Sequence, residues 1–378
     1  MNVLPDDFDC EAFLRDYWQK QPLLIRGSGA SWHNPLDPDD LAGLACEHGV
    51  AARLVTRTKK TWKLKHGPFK TSRFAGLGKK PWTLLVQAVD HVVPAVATLL
   101  GSFRFIPNWR IDDVMVSYAT DGGGVGPHFD QFDVFLVQGM GQRRWQVGSR
   151  CDETTALLPH DDLRLLARFE ATDEWVLGPG DILYIPPGFA HDGVAVGDDC
   201  MTYSIGFRAP SRAELISNWC DHLLETLPDD DRFADADLRL QPNPGEITSD
   251  TITRLHAMVT TALHDREAFA SWFGTFTTQP SIGDLARGTS TKLSAVRAAI
   301  ARGTPLQRTP ASRFSFIREP ENVILFVDGQ TFVCCEDTSA TAELLCANER
   351  PVIDRDAADA VLTLITALID QGSLALND

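Results

Sequence analysis

Three side chains of this 378-residue chain have the types and spacing of a metal site. His128 and Asp130, in "DGGGVGPHFDQFDVFLVQG", stand two residues apart, a spacing that on an extended backbone sends both side chains from one face. His191 follows about sixty residues later in "GPGDILYIPPGFAHDG". Two imidazoles and a carboxylate are the donors of the facial triad that binds non-haem Fe(II) and leaves coordination positions open. Pro186 and Pro187 remove backbone freedom just before His191, and Gly188 permits a sharp turn, as a ligand that must keep a fixed place requires. Residue types alone do not single out this set. With ten His and 51 acids, a His-x-acid pair is expected about once by chance, and His160 with Asp162 in "PHDDLRLLARF" is another. That second pair opens a helical run and is read as helix-initiating surface. His128 differs in lying between a glycine-rich loop and an apolar alternating strand. On these grounds the three side chains are either metal ligands or hydrogen-bonded polar groups of a barrel.

A second group surrounds "GQRRWQVG". Strand alternation puts Arg143 on one face with Trp145 and Val147, and Arg144 on the other with Gln146. An arginine inside a barrel must meet an anion, because an unpaired, desolvated guanidinium is very unfavourable. Its planar fork suits a carboxylate, either of the protein or of a ligand. In "MTYSIGFR" the same parity separates Met201, Tyr203, Ile205 and Phe207 from Thr202, Ser204 and Gly206, a small face with room for a bound molecule. In "DDVMVSYA" it places Asp113 with Met115 and Ser117. Asp113 is then either a mouth carboxylate able to hold a cationic side chain or a solvent-facing acid at a strand end.

The elements that must position these groups change character along the chain. Up to about Leu100, helical periodicity in "CEAFLRDYWQKQ", "PDDLAGLACEHG" and "WTLLVQAVDHVVPAVATLL" surrounds a short strand at "LLIRG". From Ile111 to Arg208, short alternating runs bounded by Gly and Pro predict an antiparallel jelly-roll. Beyond Pro210, helical stretches "RAELISNWCDHLLETL" and "SDTITRLHAMVTTALHDREAFASWFGTF" flank an acidic loop. From about Ser281, helices surround a hairpin in "NVILFVDGQTFVCC", with Asp328 and Gly329 as the turn, an order that resembles a winged helix. The expected fold is therefore mixed α+β: a catalytic jelly-roll over 1–210, a helical module over 211–280 and a winged-helix-like domain over 281–378. Nine basic against thirteen acidic residues from Gly283 to Asp378 argue against direct DNA binding.

The formal charge of −16 disfavours free nucleic acid and anionic membranes and favours a basic partner. Against that trend, Ala51–Lys80 carries ten Lys or Arg (Arg53, Arg57, Lys59, Lys60, Lys63, Lys65, Lys70, Arg73, Lys79, Lys80) and no acid. This segment is either a solvated hairpin balancing acidic neighbours or a contact for RNA phosphates. Eight Cys without a CxxC pair suit reduced thiols, and the N-terminus has no signal-peptide pattern, so a cytoplasmic protein is expected. The longest apolar run, near "VLTLITALI", is about half of what spans a bilayer.

At these residues the chain resembles the JmjC-type ribosomal oxygenases, in particular the bacterial enzymes that hydroxylate an arginine of large-subunit ribosomal protein L-sixteen. The likeness runs through "DYWQKQPLLIRG", "WTLLVQAVDH", "WRIDDVMVSYATDGGGVGPHFDQFDVFLVQGMGQRRWQVG", "LGPGDILYIPPGFAHDG", "YSIGFRAP" and "WFGTF". It implies iron at His128, Asp130 and His191, and the distal carboxylate of 2-oxoglutarate at Arg143, with Thr202 and Ser204 lining the cosubstrate site. It also implies a helical dimerisation module, hence a homodimer, a cupin-like catalytic core and a basic ribosomal protein as substrate. The implied reaction uses Fe(II), 2-oxoglutarate and O2: the keto acid is decarboxylated to succinate while one oxygen enters an unactivated side-chain carbon, with Asp113 steering the cationic arginine. Two positions depart from the family pattern. Phe132 stands where a tyrosine is expected beside the substrate, and Thr202 replaces an asparagine near the cosubstrate. A protein demethylase, a hydroxylase of another residue, and a non-catalytic cupin or winged-helix binding protein are the alternatives.

Overall fold

The computed structural model describes residues 3–27, 32–58, 61–78, 80–280 and 290–377. They divide into two units, one built on residues 1–209 and the other on most of 210–378.

The first unit contains helix α1 (Cys10–Asp16), strand β1 (Leu23–Ile25), helix α2 (Pro38–Leu44), hairpin strands β2 (Ala52–Thr58) and β3 (Thr61–His66), and the short helix α3 (Ser72–Ala75). Strand β4 (Trp82–Val86), the short helix α4 (Pro94–Ala97) and strands β5 (Ile111–Ala119), β6 (Asp133–Arg150), β7 (Ala171–Leu177), β8 (Ile182–Ile185) and β9 (Phe189–Phe207) follow. The strands hydrogen-bond in the order β1-β8-β6-β9-β5-β4-β2-β3, with β7 also on β6. The runs "FDVFLVQG" and "RRWQVG" are one strand of 18 residues, and β9 has 19. Each bends and serves two layers. The first half of β6 pairs with β8 and the second half of β9; its second half pairs with β7 and the first half of β9. Gly141 makes the bend in β6 possible, at φ 59°, and Gly197 does so in β9, at φ 78°.

Strand parity then decides the faces. Phe135, Val137, Tyr184, Tyr203, Ile205 and Phe207 enter one core with Phe13, Leu41, Val96, Leu99 and Phe103 from the helical segments. Val134, Leu136, Leu183 and Ile185 of one layer meet Trp145, Val147 and Leu177 of the other in a second core inside the roll. This is the expected jelly-roll. At the start of β6, the buried Asp133 accepts hydrogen bonds from Tyr184 Oη (2.6 Å) and Gln19 Nε2 (2.9 Å) and pairs with Arg110 (3.1 Å).

Two local expectations are corrected. "WTLLV" is not the start of a helix but strand β4, inserted between β2 and β5. Covered on both sides, it lost the alternation that marks a half-buried strand, so its short apolar run read equally well as a helix. "PHDDLRLLARF" forms no helix; an isolated bridge joins Leu157 to Leu166. His160 Nδ1 instead accepts the Asp162 and Leu163 amides, each at 3.1 Å, closing a local turn.

The second unit comprises α5 (Arg212–Thr226), α6 (Ser249–Leu263), α7 (Arg266–Thr278), α8 (Leu293–Arg302), β10 (Leu306–Arg308), β11 (Phe314–Arg318), β12 (Val323–Val327), β13 (Gln330–Cys334), α9 (Glu336–Ala347), α10 (Asp359–Gln371) and β14 (Leu374–Leu376). Asp265 caps α7 and divides the long helical stretch read from sequence. The hairpin turns at Asp328 and Gly329, φ 50° and 78°, as its sequence predicts. The β11-β12-β13 sheet packs with α8, α9 and α10 around Val296, Ile300, Phe314, Leu325, Leu345 and Leu368. Helix α7 joins this body: a Cβ on Gly274 would come within 2.4 Å of the Phe326 ring, and Gly329 N donates to Thr278 Oγ1. The expected boundary at 280/281 therefore follows a helix that packs on the hairpin. No helix among the described residues is long and apolar enough to cross a membrane. All eight thiols are free.

The inner core is tight beside His191. A Cβ at Gly193 would lie 2.5 Å from the Trp145 ring. Gly193→Ala is expected to destabilise the protein by about 1–3 kcal/mol, measured by denaturant unfolding.

Candidate active site

The loop after β5 runs alongside β9. Ala195 N donates to Gly123 O (2.8 Å) and Gly122 N to Ala195 O (3.0 Å). A Cβ on Gly124 would meet Gly193 O at 2.5 Å, so the close approach requires glycine. The run continues into a backbone bridge in which His128 N donates to His191 O (3.0 Å) and His191 N to His128 O (2.8 Å). Gly188, at φ 83°, donates its N–H to Asp130 O (2.7 Å) and accepts from Cys151 N (2.7 Å). The stiff Pro-Pro-Gly turn thus holds the third metal-site residue and also the backbone of the second.

The side chains converge accordingly. His128 Nε2 and His191 Nε2 lie 3.8 and 3.7 Å from the same Asp130 oxygen, and the three donor atoms sit within 4.8 Å of one another. His128 Nδ1 bonds Gly126 O (2.8 Å) and His191 Nδ1 bonds Phe189 O (2.9 Å). Both carbonyls require Nδ1–H, which leaves each Nε2 lone pair free for a metal. Burial, then the neighbouring His128, pushes His191 down to about 4, so its imidazole is neutral near pH 7. Two imidazole Nε2 donors and one carboxylate fit a divalent first-row metal with open positions.

Arg143 supplies the second half of the site. Its cross-strand partner is Ala195, and Val147, two positions further along the same face, pairs with His191, so Arg143 and His191 look into the same inner space. The residue is 4% exposed, and its Nε and Nη2 are buried without a hydrogen-bond partner. The guanidinium lies over Trp145 at 5.7 Å. The alternative of an internal salt bridge is not what the described residues form. Buried guanidinium donors facing a metal site are the fit expected for a carboxylate ligand such as that of 2-oxoglutarate.

The remaining predicted residues fall in different places. Thr202 and Ser204 turn to the inner face, as parity predicts, opposite Gln138 and Leu136. Thr202 Oγ1 donates to Gln138 Oε1 (3.0 Å), so its hydroxyl proton is committed within the protein, while Ser204 is half-buried beside it. Phe132 is 48% exposed on the loop that carries Asp130. Asp113 is buried, and its carboxylate accepts Gln87 Nε2 (2.7 and 3.0 Å) and Ala88 N (2.8 Å), which holds the strained turn at Ala88, φ 53°. These bonds tie the carboxylate to that turn. Sequence reading missed Gln138, whose Nε2 bonds Met140 O (2.7 Å) and which fixes Thr202. It also missed Asp133, whose carboxyl burial pushes above the usual range. An isolated acid within an apolar strand was the available signal for Asp133.

Residues 98–215 match the model of the JmjC domain, and 261–375 that of the ROXA-like winged helix. The chain is 43% identical over 267 residues to the ribosomal protein uL16 3-hydroxylase of Escherichia coli, covering 71% of this chain and 70% of the relative. It belongs to the JmjC-type ribosomal oxygenases. The solved structure of E. coli YcfD superposes with a TM-score of 0.88 at 34% identity, covering 98% of this chain and 99% of that one. The structure of the E. coli ribosomal oxygenase YcfD in complex with cobalt and 2-oxoglutarate matches at TM-score 0.85 and 33% identity, over 98% and 99% of the two chains. The jelly-roll and the winged helix of this ribosomal oxygenase are thus those of the family.

Two substitutions separate the halves of the site. His128→Ala is expected to abolish uptake of Mn2+ or Co2+ in isothermal titration calorimetry. Arg143→Ala should retain metal uptake but weaken 2-oxoglutarate binding by about 10- to 100-fold, the loss of charge-assisted hydrogen bonds.

Proposed function

We propose that this chain is an Fe(II)- and 2-oxoglutarate-dependent oxygenase that hydroxylates an arginine side chain of a large-subunit ribosomal protein. The observation that carries this reading is the buried Arg143, whose Nε and Nη2 have no hydrogen-bond partner among the described residues, on the strand face it shares with His191 of the converging His128, Asp130 and His191. When bound, Fe(II) with 2-oxoglutarate and O2 supplies the oxidising chemistry, releasing succinate and CO2.

The chain's own residues do the rest. His128, Asp130 and His191 would hold the metal, the two histidines anchored through Nδ1 on the Gly126 and Phe189 carbonyls. Arg143 orients the distal carboxylate of the keto acid, and Trp145, Val147 and Leu183 exclude water around it. Ser204 offers a hydroxyl to that pocket, whereas Thr202, committed to Gln138, shapes it. Phe132, exposed beside the metal clip, gives the incoming side chain an apolar wall without a hydroxyl partner.

The E. coli relative carries the name of a ribosomal protein uL16 3-hydroxylase, which supports a basic, RNA-binding substrate here. The test is mass spectrometry of a substrate peptide incubated with Fe(II), 2-oxoglutarate and O2. A gain of about 16 Da, one oxygen, on arginine is expected, coupled to succinate release and absent in His128→Ala. Loss of a methyl group would favour the demethylase instead.

Homodimerisation through the helical segment belongs to the same reading. Helix α6 has no buried residue, and Ile252, Leu255, Met258 and Val259 are exposed at helical spacing. Ile216 and Leu224 of α5 are also exposed. A second copy offers the same apolar stripes and would cover them. Val259→Asp combined with Ile252→Asp is expected to convert dimer to monomer in sedimentation velocity.

A further inference from the structure

The proposed reaction leaves the basic segment unused. Lys59, Lys60 and Lys79 lie outside the described residues; the others sit on β2, on β3, in the loop between β3 and α3 (Lys70), on α3 and just before β4. Register pairs Thr56 with Lys63 and Leu54 with Lys65, so both lysines share one face, while Arg57 and Trp62 share the other. Lys63, Lys65, Lys70 and Lys80 are exposed. Among the described residues none of these four lysines forms an ion pair.

The hairpin is nevertheless tied to the metal clip. Ring atoms of Trp62 lie 3.0 Å from where a Cβ on Gly126 would be, and the carbonyl of Gly126 holds His128 Nδ1. His160 Nε2 bonds Trp62 O at 3.2 Å, and the Arg57 guanidinium lies over the Trp62 ring at 5.0 Å. One face of the hairpin is therefore packed beside the site, and the other presents lysines to solvent.

We infer that this hairpin is an RNA-docking face, which engages the phosphate backbone accompanying the basic protein substrate. The inference rests on the proposed function for the identity of that substrate, and on charge for the rest. A basic polypeptide is repelled by this face and drawn to the acidic remainder of the chain. The opposite charge that travels with an RNA-binding protein is phosphate, for which lysine is a sequence-independent point-charge contact. β3 is an edge strand, where lysine also blocks unwanted pairing. Edge protection does not account for a charge run that continues past β3 to Lys70 and Lys80.

The test uses full-length protein and short fluorescein-labelled RNAs, one single-stranded and one hairpin, followed by anisotropy across a salt series. Wild type is expected to bind both RNAs, with log K falling against log salt at a slope of about −2 to −3 for three phosphate contacts. Lys63→Glu/Lys65→Glu/Lys70→Glu should bind at least tenfold more weakly, with 2-oxoglutarate turnover on a free substrate peptide unchanged. Absence of salt-sensitive binding by wild type, or equal binding by the triple variant, overturns the inference. So does a change in oligomeric state of the variant without loss of RNA affinity, which would assign the lysines to a second copy or to guarding the edge. Because binding is read without turnover, failure of hydroxylation alone would count against the proposed function and not against RNA docking.

Discussion

The two backbone hydrogen bonds that join His128 to His191, at 3.0 and 2.8 Å, are the constraint from which the rest of the active site follows. They lock two residues from distant parts of the chain into one register, so the imidazoles lean together with ring centroids 4.3 Å apart. The glycine-rich loop is what lets the backbone come so close, and the Pro-Pro-Gly turn is what stops it moving away. Asp130 enters the same stitch through its own carbonyl. The placement of these three residues is therefore set chiefly by main-chain contacts.

Around that stitch, the roll separates two kinds of interior. The core shared with the helical segments is dominated by aromatic rings such as Phe13, Phe135 and Tyr184, packed 4.9–5.4 Å apart. The space between the layers is smaller and mixed, with Trp145 and Val147 beside a desolvated arginine, a serine and a threonine. A cation with buried, unpaired donors is costly for folding and useful for binding, because an anionic ligand recovers the lost interactions. Asp133 shows the opposite solution. Its buried carboxylate is fully engaged by Gln19, Tyr184 and Arg110, and it fixes the start of β6 immediately after the metal loop.

Several of these features were legible in the sequence. Period-two parity correctly placed Arg143, Trp145 and Val147 on one face and set Thr202 and Ser204 opposite the large apolar side chains. Parity does not say what a side chain meets, and Asp113 shows the consequence. Parity grouped it with Met115 and Ser117 but left open which way that face looks; its engagement by Gln87 and Ala88 arises from a turn whose path only the folded chain defines. "WTLLV" was misread for a related reason, since a strand covered on both sides carries no alternation to detect. The basic hairpin was visible as composition, yet the packing of Trp62 against Gly126 was not.

By itself, the sequence determined the ligand types, the stiff turn before His191, the parity of the barrel strands and the sign of charge on each segment. These depend on neighbouring residues and backbone geometry, which are local. Only the tertiary structure decided which histidines meet, since His160 with Asp162 has the same spacing as His128 with Asp130 but closes a surface turn. It likewise decided that Arg143 forms no ion pair among the described residues, whereas the Asp113 carboxylate is engaged by Gln87 and the Ala88 amide. Pairing across about sixty residues is set by strand register and burial, and neither is written in any one stretch of the chain.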